Sequence, residues 1–293
     1  MYKKIIEINE SNYAKLFLGN LILYKEKQKI SIPTQNIDTV IFENQNSTIT
    51  LPLINELVSK GVNIIICDKK HLPNSLIIPL QGHYNNKILQ NQILWDSNFK
   101  NSVWTKIINL KIINSLNLLK KLNLLNAIEE STLLDYANSI KFMDSTNREA
   151  HAAKLYFKLL FGNNFNRQDD NNLINRYLNY GYSILMSYIT RGIISKGYDC
   201  RIAVFHKSFN NYYALSTDLM EPFRCLIDKL VYEYFKNNEL VNFQEFKEKL
   251  FLMFFDYIKY ENRNITINEY INYYVVTSLK NEVLSSFIID WNI

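Results

Sequence analysis

Turn formers are scarce in this chain: it has seven glycines and five prolines among 293 residues. That excludes a loop-rich fold and points to long regular elements. Cysteine is scarce too. Cys67, Cys200 and Cys225 are odd in number and have no CxxC spacing, which excludes a disulfide framework and a zinc site and points to a reducing, cytoplasmic setting. No uncharged apolar run of about 18 residues occurs, so no membrane span is expected. The opening residues, MYKKIIEINESNYAKLF, lack the apolar core and cleavage site of a secretory signal. GxSxG, HExxH and the Walker phosphate loop are all missing, and no two glycines form a GxG. This argues against a nucleophile-elbow hydrolase, a zincin and a nucleotide-binding enzyme. Arginine is absent from the first 147 residues.

What is present reads as an ordinary globular chain, 47% hydrophobic and 21% charged. Its length makes two domains the default. A net charge of +5 permits a nucleic-acid partner without establishing one. All seven arginines (148, 167, 176, 191, 201, 224 and 263) lie in the second half, where their planar forks suit phosphate contacts. The abundance of Asn, Lys, Ile, Tyr and Leu reads as the codon composition of an AT-rich genome before it reads as chemistry. Twenty tyrosines and seventeen phenylalanines belong mostly to the core.

The apolar spacing predicts an α+β fold. Residues 1–80 read as a β-rich domain, a sandwich or roll of hairpins with one helix. Gly19-Asn20 marks a turn, KISI, TVIFEN, VNIIICD and SLIIPL are strands, and LPLINELVSKG is the helix. A linker over 81–86 leads to a larger all-helical domain, 87–293. Helices are expected over 107–125, 129–143, 148–161, 171–195, 225–238, 243–258 and 266–288, with one irregular segment at 198–217. Cys67, Asp68 and His71 form a lesser candidate site, against which stands their reading as solvated loop residues.

The chain is organised around Arg201 to Leu226, RIAVFHKSFNNYYALSTDLMEPFRCL. Asp218 and Glu221 are three apart and share a helix face. Pro222 sets a helix start within about a turn. An imidazole, His206, and these carboxylates could converge near a helix N-terminus, a setting for a divalent cation and a phosphate. Other readings stand beside this one: Asp218 with Glu221 also makes a helix cap with an acidic first turn, and His206 also reads as a core histidine. Glu149, in NREAHAAKLYF, is the candidate third ligand or else a first-turn glutamate favoured by the helix dipole. His151 falls on another face of that helix. Tyr212 and Tyr213 are candidate base-stacking residues.

Four blocks together resemble the CRISPR-associated integrase family, CRISPR-associated protein one. They are NREAHAAKLYF (147–157), LNYGYSILMSYITRGIISKGYD (178–199), VFHKSFNNYYALSTDLMEPFR (204–224) and, more weakly, the N-terminal strand region. The third block is similar to the branch that accompanies the RNA-guided nuclease of type II systems. Cys225 stands where the family commonly has proline, and Cys200 and Ala203 where it often has proline or glycine.

The resemblance implies Glu149, His206 and Glu221 as ligands of Mg²⁺ or Mn²⁺, with Asp218 as a supporting acid. Arg148, Arg191, Lys207 and Arg224 become candidates for phosphate contacts. The implied reaction joins prespacer 3′-hydroxyl ends to the leader–repeat DNA by transesterification. The implied assembly is a homodimer, made through the β domain, that forms a heterohexamer with the small ferredoxin-like CRISPR-associated protein two. Type II accessory proteins and the RNA-guided nuclease are further candidate partners, and no membrane is. Two other outputs of the same residues stay open: a metal-dependent nuclease or branched-DNA resolvase, and a catalytically inactive DNA-binding assembly subunit.

Overall fold

The computed structural model describes residues 3–10, 12–25, 28–69, 73–77, 86–206, 210–237 and 242–291. The chain divides into two compact units, Met1–Gly82 and His83–Ile293. Residues 81–85 of the expected linker lie outside the described residues.

The first unit contains, in chain order, β1 (Lys4–Ile8), β2 (Tyr13–Phe17), β3 (Asn20–Lys25), β4 (Gln28–Pro33), β5 (Ile37–Phe42), β6 (Thr48–Ile49), α1 (Leu51–Ser59), β7 (Asn63–Cys67) and β8 (Pro73–Ile77). They form two four-stranded sheets, ordered β1-β5-β7-β8 and β4-β3-β2-β6. Hairpins build β2-β3-β4, whereas β1·β5, β5·β7 and β2·β6 pair in parallel. Parallel partners are distant in sequence, so local turn signals do not reveal them. β5 is buried along its whole length, as expected of a central parallel strand. α1 buries Leu53 and Leu57 in the same core as Ala14, Leu21, Val40 and Ile64.

The β2–β3 turn falls one residue earlier than its sequence suggests. Phe17 pairs with Asn20, and the turn residues are Leu18 and Gly19, with φ of 48° and 72°. Two successive positive φ values fit a type I′ turn. The Asn20 amide then donates back to the Leu18 carbonyl at 2.9 Å.

The second unit contains α2 (Asn86–Ile93), α3 (Ser97–Lys121), α4 (Ala127–Asn138), α5 (Arg148–Phe161), α6 (Leu173–Ser195), α7 (Ala214–Met220), α8 (Arg224–Asn237), α9 (Phe243–Met253), β9 (Tyr257–Tyr260), β10 (Arg263–Thr266) and α10 (Ile267–Leu279). α3 has 25 residues and so runs roughly 37 Å. α6 is buried over most of its length. Its Gly181 faces Ile227 of α8 so closely that a Cβ there would collide with the isoleucine side chain. Tyr188, Tyr270, Tyr274, Phe223 and Phe287 are fully buried, the core role expected of most aromatics.

This unit is not helical throughout. Helical spacing predicts one helix over 243–258 and another over 266–288, but α9 stops at Met253 and α10 at Leu279. Between them, β9 and β10 form an antiparallel hairpin in which Tyr260 pairs with Arg263. Along β9, Tyr257 and Lys259 are exposed while Ile258 and Tyr260 are buried. That is a period of two, hidden in a run rich in aromatic and apolar residues. Glu261 at φ 53° turns the hairpin, and Asn281 at φ 59° turns the chain after α10 where a helix pattern continues.

Candidate active site

α3 is the scaffold of the site. Asn101 accepts the backbone N–H of Met143 at 2.6 Å, at the approach to α5. There Met143, Asp144 and Asn147 all have positive φ, at 49°, 50° and 53°, a strain on the order of 1 kcal/mol or more each for non-glycine residues. The Asp144 carboxylate accepts the N–H groups of Arg148 at 2.8 Å and Glu149 at 3.0 Å. These bonds offset the strain and fix where Glu149 leaves the first turn of α5.

Glu221 stands at the joint between α7 and α8, in the short 3-10 turn Glu221–Phe223. Asn114 of α3 is fully buried and secures that turn. Its amide donates to the carbonyls of Pro222 at 3.1 Å and Phe287 at 3.3 Å, and its oxygen accepts the Ile289 N–H at 2.9 Å.

Lys111 joins the two glutamates. Its Nζ lies 2.5 Å from Glu149 Oε1 and 2.5 Å from Glu221 Oε2, so the two carboxylate oxygens are within twice that distance of each other. Arg224 takes the other oxygen of Glu221, with Nε and Nη2 both 2.9 Å from Oε1. Burial pushes the Glu221 carboxyl up, but Lys111 and Arg224 outweigh it and hold the group at about 2. Burial likewise disfavours the Lys111 ammonium, and Glu221 and Glu149 outweigh it to raise its pKa. Glu221 Oε2 is buried and, among the described residues, has no partner besides the Lys111 ammonium.

His206 is held by Asp218. Its Nδ1 lies 2.5 Å from Asp218 Oδ1, and Asp218 Oδ2 accepts the N–H groups of Val204 at 2.8 Å and Phe205 at 2.7 Å. The hydrogen bond to Asp218 raises the His206 pKa against the effect of burial, and the charges of Asp218, Glu221 and Glu149 add to it. The Phe205 ring stacks on Trp104 of α3, with centroids 4.2 Å apart. Asp218 does not start a helix, as the cap reading has it. It lies inside α7, fully buried, and serves the loop before His206 instead.

A cavity of about 190 Å³ adjoins the glutamates, lined among others by Tyr156, Arg167 and Asp228. Asp228 is buried and accepts the hydroxyls of Tyr156, at 2.9 Å, and Tyr182. Burial pushes its carboxyl up to about 6. The Arg224 guanidinium lies 4.6 Å over the Tyr182 ring, so this buried network abuts the clamp on Glu221.

Of the sequence candidates, Glu149 and Glu221 come together at Lys111, Arg224 holds the other oxygen of Glu221, and His206 comes to Asp218. Among the described residues, no three His, Cys, Asp or Glu side chains already close on a point that could hold a metal ion. The chemistry of the donors nevertheless fits one. Two carboxylates face a single cationic position, one buried carboxylate oxygen has no partner but that cation among the described residues, and a carboxylate fixes the histidine through Nδ1. Hard divalent ions take such oxygens, and ligating histidines are commonly held this way.

Arg148 packs on Tyr136, 5.5 Å from its ring, and His151 contacts the same ring. Arg191 donates to Asn268 at 3.0 Å and lies over Tyr188, an internal engagement. Tyr212 is exposed, and Cys67 is buried. Lys207 and His71 lie outside the described residues. Sequence reasoning misses Lys111, Asn114, Asp144 and Asp228. The one signal for Lys111 is a charge set in the apolar run INLKIIN.

A strand-rich unit ahead of a helical one, with carboxylates of two elements converging on a cation, defines a two-unit α+β protein with an acidic site. A family profile described as CRISPR associated protein Cas1 matches residues 9–270. The CRISPR-associated endonuclease Cas1 of Neisseria meningitidis serogroup C (strain 8013) is 32% identical over 232 residues, covering 78% of this chain and 75% of that one. The chain belongs to the Cas1 family, as the four sequence blocks imply.

Two solved structures share the fold. A casposase bound to integration product aligns with a TM-score of 0.79 at 16% identity, over 96% of this chain and 92% of that one. A Cas6-RT-Cas1–Cas2 complex gives 0.73 at 17%, over 99% of this chain and 36% of that one.

Proposed function

We propose that this chain is a metal-dependent DNA integrase of CRISPR adaptation, joining prespacer 3′-hydroxyl ends to the leader–repeat border by transesterification. The observation that carries the reading is the convergence of Glu149 and Glu221, from separate elements, on one cationic position, together with a carboxylate-held histidine whose pKa both glutamates raise. Mg²⁺ or Mn²⁺ held by Glu149, Glu221 and His206 would supply Lewis acidity to a phosphate and acidify the attacking hydroxyl. The chain's own residues prepare that position. Arg224 clamps one Glu221 oxygen and leaves Oε2 for a cation. Asp218 engages Nδ1 of His206, leaving Nε2 as the nitrogen for ligation. Asp144 sets the direction of Glu149. Phosphoryl transfer depends chiefly on such positioning.

The structural neighbours support the finer points. One neighbour is a casposase with an integration product and another is a complex containing Cas2, in keeping with DNA and a Cas2 partner for this chain. Homodimerisation through the first unit is supported by Tyr13, Phe17, Leu18 and Tyr24, which stand exposed on β2, β3 and their turn. A cytoplasmic setting is supported by three free, buried cysteines. The similarity to the type II branch keeps accessory proteins and the RNA-guided nuclease as candidate partners.

The test is joining of labelled prespacer to leader–repeat DNA, with the Cas2 partner and Mn²⁺. Glu149→Ala, His206→Ala and Glu221→Ala are each expected to abolish it, and joining that persists in all three overturns the assignment. The name endonuclease on the Neisseria relative favours a second reading, cleavage or branch resolution at the same site. The ratio of joined to cleaved product separates the two. An inactive assembly subunit would bind DNA and take up no Mn²⁺ in calorimetry.

A further inference from the structure

Two carboxylates this close to each other in a partly buried site are costly unless a cation lies between them. Without a divalent ion that cation is Lys111, with Nζ 2.5 Å from an oxygen of each and a side chain only 17% exposed. We propose that Lys111 is the built-in counter-ion of the metal-free site, displaced when a divalent cation enters, so that it sets how tightly the site takes metal. The inference rests on the metal reading of Glu149 and Glu221 given above.

Three observations carry it. First, the ammonium touches the same oxygens that a metal would need, and two cations at such a distance repel strongly. Second, Arg224 already occupies Glu221 Oε1, so the competition is for Oε2. Among the described residues no other donor bonds that oxygen, so an entering cation displaces Lys111 alone. Third, Lys111 lines the adjoining cavity of about 190 Å³. Its flexible four-carbon stem can therefore move aside without disturbing α3. Metal uptake becomes an exchange of cations rather than the filling of an open acidic pocket.

The experiment is calorimetric titration of Mn²⁺ into the full chain. Lys111→Met keeps the stem and removes the charge, and it is expected to bind Mn²⁺ at least ten-fold more tightly than wild type. Its melting temperature without metal is expected to fall below that of wild type, and saturating Mn²⁺ to close the gap. Lys111→Gln, which still donates a hydrogen bond but carries no charge, gives the same comparison should the methionine variant fold poorly. Lys111→Arg keeps the charge and is expected to show no such tightening. Affinity unchanged or weaker in folded, uncharged variants overturns the role of Lys111 and leaves the metal site standing. A wild-type chain that takes up no Mn²⁺ overturns the metal reading itself, and the inference with it.

Discussion

The carboxylate of Asp218 serves two masters: Oδ1 lies 2.5 Å from His206 Nδ1, while Oδ2 accepts the N–H groups of Val204 and Phe205. One side chain thus orients the imidazole and shapes the backbone that presents it.

That pairing has opposite consequences for stability and for metal. The hydrogen bond raises the His206 pKa above its ordinary 6.5. The stabilisation it gives is therefore complete below about 6.5 and lost as pH rises through the raised value. Ligation requires the neutral ring, so Mn²⁺ affinity is expected to fall as pH drops through that same raised value. Asp218→Asn should move the His206 midpoint, followed by NMR, back toward the ordinary value and shift the Mn²⁺ profile to lower pH. Identical profiles in the two proteins would contradict this.

Glu221 sets an acid limit on the fold. Its carboxyl is held at about 2, against an ordinary 4.5. The corresponding stability, on the order of 3 kcal/mol, is present above 4.5 and lost as pH falls toward 2. Denaturant melts of Glu221→Gln should show a flatter acid limb than wild type. At neutral pH the variant should be less stable, since Lys111 and Arg224 lose a shared counter-charge.

Asp228 should act in the reverse sense. Burial raises it to about 6 from 3.8, so between those values the folded state holds a proton that the unfolded state has released. Stability should decline as pH rises across that window, by up to about 3 kcal/mol. Asp228→Asn keeps the shape and should show no such decline. Chemical denaturation at the two ends of the window checks it.

Asn114→Ala removes a donor from two carbonyls and an acceptor from Ile289, all in a fully buried place. A loss of about 2–4 kcal/mol is expected, read from the urea midpoint. Because the Pro222 carbonyl loses the donor that ties it to α3 and keeps only the Cys225 thiol, Mn²⁺ affinity should weaken as well. A stable variant with normal metal uptake would show that Asn114 does not position Glu221.

The legible part of this candidate site is its residue types. Glu149, His206, Asp218 and Glu221 can be picked out of the sequence as candidates, and α5 begins and ends where its spacing says, at Arg148 and Phe161. The residues that hold them are not legible. Lys111 and Asn114 are polar groups in a long helix, and such groups ordinarily face water. Only the tertiary fold turns them inward, against partners far away in sequence. Asp144 is hidden for a different reason, since it serves the start of α5 from a left-handed backbone conformation that is uncommon for any residue but glycine. The parallel strands of the first unit and the β9–β10 hairpin fail for want of a local signal. The first needs partners remote in sequence, and the second alternates within a run of apolar residues.

Asn101, Trp104, Lys111 and Asn114 all project from α3 and reach, in turn, the approach to α5, the His206 loop, the two glutamates and the Glu221 turn. One helix is thus the common ruler against which every part of the site is measured. Adding or removing a single residue between Trp104 and Lys111 would rotate one half of that ruler by about 100° against the other. The site should therefore accept substitution along α3 far more readily than any change in its length, so relatives that keep this chemistry must keep the spacing of that helix.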